Sequence, residues 1–240
     1  SAVFRATVQG TVDSLPLRVI NPLNIANINE DGISELVNAE GEVLDAIEIW
    51  ANFEPNGSAV NLSLDAPVGS TFIFVPDVSI FMSTIQLEDG STLTVYPTGV
   101  LITSLRKDVS GRPLGSEYHT IVSVDPSARI INLASPIQNT YFGGIDWVAP
   151  IYQRRYFVQE VIENPNTGRT TRWLVRRDYY GNNRGIPFFD SPLAEGIQDL
   201  QIFLDIHDPV TNQIELDVEP SGMVDCCHII GVTVQITGLV

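Results

Sequence analysis

The chain has few basic residues and no long apolar run, and both absences restrict what it can do. Lys and Arg together number 13 against 29 Asp and Glu, which gives a net charge of −16. Proteins that bind duplexes need basic surface to neutralise phosphates, so no nucleic-acid partner is expected. No run of eighteen apolar residues occurs, so no membrane-spanning helix is predicted within residues 1–240.

The chain also lacks recognisable catalytic and metal-binding motifs. Its two cysteines, Cys226 and Cys227, are adjacent. On a strand their side chains would point to opposite faces, which disfavours both a disulfide and a shared metal. The side chains of the consecutive residues "DCCH" (225–228) would point apart in the same way. No histidine is spaced from another ligand as in the known zinc-binding motifs. No nucleophile elbow or phosphate-binding loop is present, so neither an enzyme nor a cofactor is expected.

The sequence does contain apolar and polar residues that alternate with a period of two, and this pattern predicts strands from Asp45 onward. In residues 196–206 the apolar set on one face is Leu200, Ile202, Leu204 and Ile206. Residues 151–181 predict a hairpin whose turn lies at 164–168, where Asn and Gly favour unusual backbone angles. Segments between 70 and 136 predict a small barrel-like unit.

The best helix candidate is the segment 2–15. Val3, Ala6, Val8 and Val12 roughly trace one stripe of a helix, and Pro16 would end it. We expect this short helix to pack on a sheet through that stripe.

Oxygen-bearing side chains cluster after the strand at 196–206. The residues concerned are Asp205, Asp208, Asn212, Glu215 and Asp217. Such oxygens can hold Ca²⁺, although their spacing is not that of an EF-hand loop. A solvated hairpin tip is the alternative interpretation.

Seven of the thirteen basic residues lie between Arg154 and Arg184, among several aromatic residues. Arg and aromatic side chains dominate protein interfaces, so this band is a candidate partner surface. The residues proposed for it are Arg154, Tyr156, Trp173, Arg176 and Tyr179. The alternative is that the arginines pair with acidic neighbours across the hairpin.

Four stretches of the C-terminal hundred residues together resemble a known family. They are "WVAPIYQRRYFVQE", "TRWLVRRD", "PLAEGIQDLQIFLDI" and "IIGVTVQITGLV". Their order is similar to that in minor type IV pilins of the PilW type and in J-type minor pseudopilins of type II secretion. Leu174 and Arg176 match the family's Leu-x-Arg strand end, and Pro192 through Gln201 match its "plaeGIedlq" stretch. "SLPLRVINPLNI" and "LDAIEIWANF" are similar to the end of the family's long helix and to its first strand.

The resemblance implies an α+β, pilin-like fold, in which a truncated N-terminal helix packs on an antiparallel β-sheet. Residues 1–20 would be the helix stump and 21–69 a connecting segment with the first strand. Residues 70–136 would be a β-rich insertion, and 137–240 the C-terminal antiparallel sheet. The acidic excursion after residue 206 would be the loop between the last two strands.

The resemblance implies assembly as the function. Such subunits are anchored in the inner membrane by the hydrophobic helix, here missing, and carry a periplasmic head. They enter a pilus or secretion filament and act near its tip through contacts with other pilin or pseudopilin subunits.

Two further classes stay open because they are also β-rich and lack catalytic motifs. A secreted adhesin or carbohydrate-binding β-sandwich would present an aromatic platform that includes Trp147, Trp173, Tyr179 or Tyr180. A virion structural protein would assemble with itself. A hydrolase ranks last.

Overall fold

The chain folds almost entirely into β-strands. Its structure, a computed structural model, describes residues 2–7, 17–20, 39, 44, 46–53, 59–87, 89–107, 113–164, 166–181, 188–208, 210–218 and 228–238. Strands make up 66% of the structure, and the described residues contain no helix of seven residues or more. The α+β, pilin-like prediction is therefore wrong, since no helix packs on a sheet in this part of the chain.

Among the described residues the strands follow one another in chain order, and a short 3-10 turn, Ser79–Phe81, lies between two of them. They are β1 (Ala2–Thr7), β2 (Leu17–Ile20), β3 (Ala46–Ala51), β4 (Val60–Asn61), β5 (Phe72–Phe74), β6 (Ser83–Gln86), β7 (Thr92–Val95), β8 (Gly99–Lys107), β9 (Pro113–Asp125), β10 (Ile130–Leu133), β11 (Trp147–Asn164), β12 (Arg169–Tyr179), β13 (Phe188–Glu195), β14 (Ile197–Asp208), β15 (Gln213–Val218) and β16 (His228–Gly238).

The helix predicted for residues 2–15 is wrong wherever the structure describes this segment. Ala2–Thr7 forms β1, which pairs antiparallel with β16 and places Val3 opposite Gln235 and Ala6 opposite Val232. The segment is rich in Val and Thr, whose branched side chains favour extended backbone. Strand β16 also supplies a complete row of hydrogen-bond partners. Val8 and Val12 lie outside the described residues.

The chain divides into two compact units. The terminal unit comprises residues 1–49, 154–177 and 190–240, and the central unit comprises residues 50–153 and 178–189. Strands β11, β12 and β13 each contribute residues to both units. The β-rich segment predicted at 70–136 lies within the central unit.

The terminal unit is built around an antiparallel sheet in the order β1-β16-β14-β15. Strand β14 pairs antiparallel with β16 from Ile197 to His207. The acidic excursion between them is not only a loop, since part of it forms β15 on the other side of β14. The described core contains Leu44, Val158, Ile197 and Leu200, with partly buried Leu174, Ala194, Val234 and Ile236 packed against it.

The central unit contains the larger described core. Strand β8 pairs antiparallel with β9 and with the first residues of β11, and β10 joins β9 to β5. Strands β6 and β7 form a separate hairpin. The core between these strands includes Leu62, Ile73, Val75, Phe81, Val100, Ile102, Ile131, Ile137, Tyr141 and Val148, all buried.

The hairpin predicted for residues 151–181 is confirmed. Strands β11 and β12 are neighbours in the sheet, and the turn between them ends at Gly168. Gly168 has a φ of 67°, a left-handed conformation that glycine adopts without steric cost. The turn therefore has the residue that its backbone requires.

Candidate functional site

Two arginines of the basic band between Arg154 and Arg184 are buried in ion pairs within the terminal unit. The Arg155 Nη2 atom lies 2.9 Å from Glu48 Oε2, and the Glu48 side chain is 2% exposed. Arg177 donates from Nε and Nη2 to the two carboxylate oxygens of Asp190, at 2.7 and 2.9 Å. The Arg177 guanidinium also lies over the Phe157 ring, 5.1 Å from its centroid. These arginines hold the fold together and are not available to a partner.

Two further arginines pair with acidic residues near the hairpin tip. Arg169 Nε lies 2.9 Å from Glu163, and Arg172 Nε lies 3.8 Å from Glu160. Both pairs join β12 to β11, as the cross-strand alternative supposes. Much of the positive band is therefore neutralised within the molecule.

The five residues predicted for the partner surface do not form one exposed patch. Arg154, Tyr156, Trp173 and Arg176 are half-buried in the terminal unit. Tyr179 belongs to the central unit, where it makes an edge-to-face contact with Phe188 at a centroid distance of 6.0 Å. Their role in binding a partner stays a prediction.

A shallow groove of about 400 Å³ lies beside the hairpin in the terminal unit. It is lined by Ala39, Glu160, Thr170, Thr171, Arg172, Gly196, Ile197 and Gln198. The Gly196 N–H donates to the Arg172 carbonyl at 2.8 Å, which fixes the turn between β13 and β14 against β12. The charged groups of the groove, Glu160 and Arg172, already face one another, so the groove offers mainly hydroxyl and backbone groups to a ligand.

Strand β15 is more exposed to solvent than the groove. It lies at one edge of the sheet β1-β16-β14-β15. Ile214 and Leu216 are 59% and 60% exposed, and Val210 in the preceding turn is also exposed. An edge strand presents backbone donors and acceptors that can pair with another strand. We call Gln213–Val218 the β15 edge.

The five predicted calcium ligands lie on β14, on β15 and in the turn between them, and three of them, Asp205, Asp208 and Asn212, make local hydrogen bonds through their side chains. The Asp208 carboxylate accepts from the Val210 N–H and the Thr211 hydroxyl, and the Asn212 side chain lies 3.1 Å from His207. The buried Asp205 accepts the Asp217 N–H at 3.1 Å. Glu215 is exposed on β15. Among the residues described, no three His, Cys, Asp or Glu side chains group around a point where a metal could bind.

Asp205 and Asp217 mark an irregular place in the sheet. The register shifts between Leu204 and Ile206 on the β15 side, and between Asp205 and Ile206 on the β16 side. Asp217 has a φ of 54°, in the left-handed region. Both neighbouring strands therefore carry an extra residue opposite the same short stretch of β14, as in a β-bulge.

Asp146 organises a loop of the central unit. Its fully buried carboxylate accepts from Arg106, from the Ser104 hydroxyl and from the Phe142 N–H. Burial raises the pKa of Asp146, but the hydrogen bonds from Arg106, Phe142 and Ser104 outweigh it, so the pKa lies below its usual range. The group is therefore a structural carboxylate held in its charged form.

Glu117, His119 and Ser135 form a chain of hydrogen bonds that the sequence analysis did not find. His119 Nε2 lies 3.0 Å from Glu117 Oε2, and His119 Nδ1 lies 3.0 Å from Ser135 Oγ. Glu117 and His119 are two residues apart on β9 and so share a face. That spacing was a readable signal, but the approach of Ser135 depends on how β10 pairs with β9.

The charge of Glu117 is fixed by its surroundings. Burial raises the pKa of Glu117. Hydrogen bonds from the Gln138 N–H, from the Asn139 side chain and N–H and from His119 together lower it by more than burial raises it, so the pKa lies below its usual range. These bonds are 2.6 to 3.0 Å long. Glu117 is therefore an anionic acceptor at neutral pH.

Several predicted residues lie outside the described part of the chain. They include Cys226, Cys227 and Arg184, and only the backbone of His228 is described.

Within the described residues, no helix has the length and apolarity needed to cross a membrane. Comparisons with family models, with curated proteins and with solved structures find no match to this chain.

Proposed function

We propose that this chain is a structural subunit that assembles through its terminal unit, of the minor pilin or pseudopilin kind. It acts by protein–protein contact near the tip of an envelope filament. The observation that carries the proposal is the accessible β15 edge, which combines an outer backbone row with the exposed side chains of Ile214 and Leu216.

The position of the family-like stretch supports the same proposal. Residues 192–201 lead from β13 into β14, and β14 pairs antiparallel with the last strand over nearly its full length. The resemblance implied that these are the last two strands with a loop between them, whereas β15 lies within that connecting segment. The proposal no longer includes a helix packed on that sheet, because β1 is a strand.

Surface chemistry also favours contact with protein rather than with nucleic acid. The net charge is −16, and five of the described arginines are paired with carboxylates. The β15 edge adds two carboxylates, Glu215 and Asp217, to two exposed apolar side chains. A partner with an apolar edge strand and a basic rim fits this surface.

The test is site-specific photocrosslinking of the full-length protein in the cells that make it. A photoreactive residue is placed at Ile214 or at Leu216, and at the equally exposed Val122 of the central unit as a matched control. We expect crosslinks from positions 214 and 216 to another subunit that has a pilin-type leader. The control position is expected to give no such product.

Two results would count against the proposal. One is the absence of any filament subunit among the crosslinked products. The other is a native N-terminus that begins near Ser1 or follows an ordinary secretion signal, rather than roughly twenty apolar residues. N-terminal sequencing of the protein isolated from membranes measures the second.

A secreted or surface binding module is a second candidate, and one surface of the central unit favours it. Leu64, Phe142, Ile145 and Trp147 are all exposed. Their backbones lie side by side, because the Gly144 N–H bonds to the Leu62 carbonyl and the Asn61 amide bonds to the Ile145 carbonyl. Exposed apolar patches mark interaction sites.

The two candidates differ in which substitution abolishes binding. Ile145→Lys would disrupt a binding module and leave a filament subunit active, whereas Leu216→Lys would do the reverse. Binding of the isolated protein to a glycan array, lost with Ile145→Lys, would move the binding module to first place.

A further inference from the structure

We infer that Ser135 is an activated nucleophile, with His119 as its general base and Glu117 as the residue that positions the base. The site would accept an acyl group from small carboxylic esters with good leaving groups. This activity is separate from the assembly role and lies entirely within the central unit.

The inference rests first on geometry. The imidazole of His119 is 4% exposed and lies between two oxygens, each 3.0 Å from one ring nitrogen. Ser135, in contrast, is exposed. A nucleophile within hydrogen-bond reach of a base, with that base oriented by a third group, is the arrangement shared by serine and cysteine acyl-transfer enzymes.

The chemistry of Glu117 decides where the proton of His119 resides. A carboxylate can only accept, so the neutral imidazole donates its proton from Nε2 to Glu117. The Nδ1 atom then carries the lone pair, which faces the Ser135 hydroxyl. In serine proteases the histidine Nδ1 atom faces the carboxylate and the Nε2 atom faces the serine, so the two nitrogens have exchanged roles here. General-base catalysis requires only that one ring nitrogen faces the carboxylate and the other faces the serine.

The backbone holds the serine in place. The Ala134 N–H donates to the Thr120 carbonyl at 2.9 Å, which draws the segment after β10 onto β9. The Ile137 N–H donates to the Ser70 carbonyl at 2.9 Å and fixes the other side of Ser135. Glu117 binds the following residues 138 and 139, so one carboxylate positions both the base and the serine loop.

Pro136 restricts the substrate class. In many hydrolases the N–H of the residue after the nucleophile helps stabilise the oxyanion, and proline has no N–H. Loss of one oxyanion donor typically slows an enzyme by about 10²- to 10³-fold. Activated esters, whose leaving groups depart readily, are therefore the expected substrates, and peptides are not.

The reaction balances with water as the co-reactant. Ser135 Oγ attacks the ester carbonyl as its proton moves to His119 Nδ1. The bond to the alcohol oxygen breaks, and the alcohol leaves with the proton from His119. Water then attacks the acyl-serine, assisted by the same imidazole, and releases the carboxylic acid and the free serine.

The experiment treats the purified full chain with a fluorophosphonate probe and with p-nitrophenyl acetate, and maps the adducts by mass spectrometry. We expect labelling at Ser135 and a stoichiometric burst of p-nitrophenol. Ser135→Ala abolishes both. Ser127→Ala is the matched control, because Ser127 is also exposed and donates to a carboxylate, Asp125, with no imidazole between them. It is expected to react like the unsubstituted chain.

Two more variants separate a role in reactivity from a role in folding. His119→Gln should slow labelling at least about a hundredfold, the usual size of general-base assistance. Glu117→Gln keeps the oxygen that accepts from Asn139. Its amide nitrogen replaces the oxygen that accepts from Gln138 and faces His119, so it would lose the Gln138 bond, donate to Nε2 and leave the proton on Nδ1. Labelling is then lost although circular dichroism is unchanged, whereas a purely structural Glu117 would leave labelling intact.

Three outcomes would overturn the inference. One is an unsubstituted chain that neither reacts with the probe nor hydrolyses the ester above the buffer rate. Another is labelling spread over serines such as Ser127. The third is a Glu117→Gln variant that folds and reacts normally.

Discussion

The two units of the molecule differ in the partners of the carboxylates that secure them. In the terminal unit, buried carboxylates pair with arginines, as Glu48 does with Arg155. In the central unit, Glu117 and Asp146 each bind backbone N–H groups as well as side chains and so secure loops. Asp146 does both, because it also pairs with Arg106 and so ties a distant strand to the loop that it secures.

The two units also differ in the size of their described cores. The central unit buries many large side chains, among them Phe81, Tyr141 and Ile131. The described core of the terminal unit is smaller. Two ion pairs with buried arginines, Arg155 with Glu48 and Arg177 with Asp190, lie in that unit. The comparison predicts different responses to substitution.

The largest effect is expected from Phe81→Ala in the central unit. Phe81 is 0% exposed, and the truncation leaves a cavity in the apolar core. The free energy of unfolding should fall by about 4 kcal/mol. Urea denaturation measures it, with Phe72→Ala as the control, since Phe72 is 43% exposed and should lose about 1 kcal/mol or less. Equal losses would contradict the core assignment.

The next effect is expected from Glu48→Gln in the terminal unit. The substitution keeps the volume but leaves the charge of Arg155 without its carboxylate, which should cost about 3 kcal/mol. Glu163→Gln removes the exposed pair with Arg169 and should cost about 0.5 kcal/mol or less. Chemical denaturation of both variants at neutral pH checks the difference. If the two losses match, burial does not set the strength of these pairs.

A smaller and pH-dependent effect is expected from Asp146→Asn. Because the pKa of Asp146 is lowered in the folded protein, its stabilisation is complete above the usual carboxyl pKa near 4 and is lost as the pH falls through the lower folded value. The variant should lose about 2 kcal/mol at pH 7, and this loss should shrink as the pH falls below the usual carboxyl pKa near 4. Unfolding by urea over a series of acidic pH values measures the change. A loss that is independent of pH would contradict the ionic role.

The smallest effect on stability is expected at the β15 edge. Leu216→Ser should change the free energy of unfolding by about 0.5 kcal/mol or less, because Leu216 is already exposed. Leu200→Ala, on the buried face of β14, should cost about 3 kcal/mol. Thermal unfolding compares the two. A large loss for Leu216→Ser would mean that this side chain supports the fold and is not a contact surface.

The strands with clear alternation could be predicted from the sequence. Residues 196–206 and the hairpin 151–181 carry repeated apolar positions and turn residues, and these local signals agree with the sheet. The segment 2–7 could not be assigned, because a short run of Val, Ala and Thr fits both a helical stripe and a strand. Its pairing with β16, more than two hundred residues away, decided the outcome.

The functional geometry was less predictable for the same reason. Glu48 lies 107 residues from Arg155, and nothing local shows that a glutamate within an apolar strand will be buried against an arginine. The Glu-x-His spacing of 117 and 119 was visible, but Ser135 reaches His119 only through a register shift between β9 and β10. The alternation of apolar and polar residues shows which side chains share a face of a strand. It does not show the register in which two distant strands pair.

The irregular place opposite Leu204–Ile206 has a consequence for aggregation. Self-propagating stacks of strands need flat segments of about six or seven residues. The left-handed Asp217 interrupts β15, so the regular stretch of its edge runs only from Gln213 to Leu216. A molecule can therefore expose Ile214 and Leu216 and still resist runaway addition of identical copies.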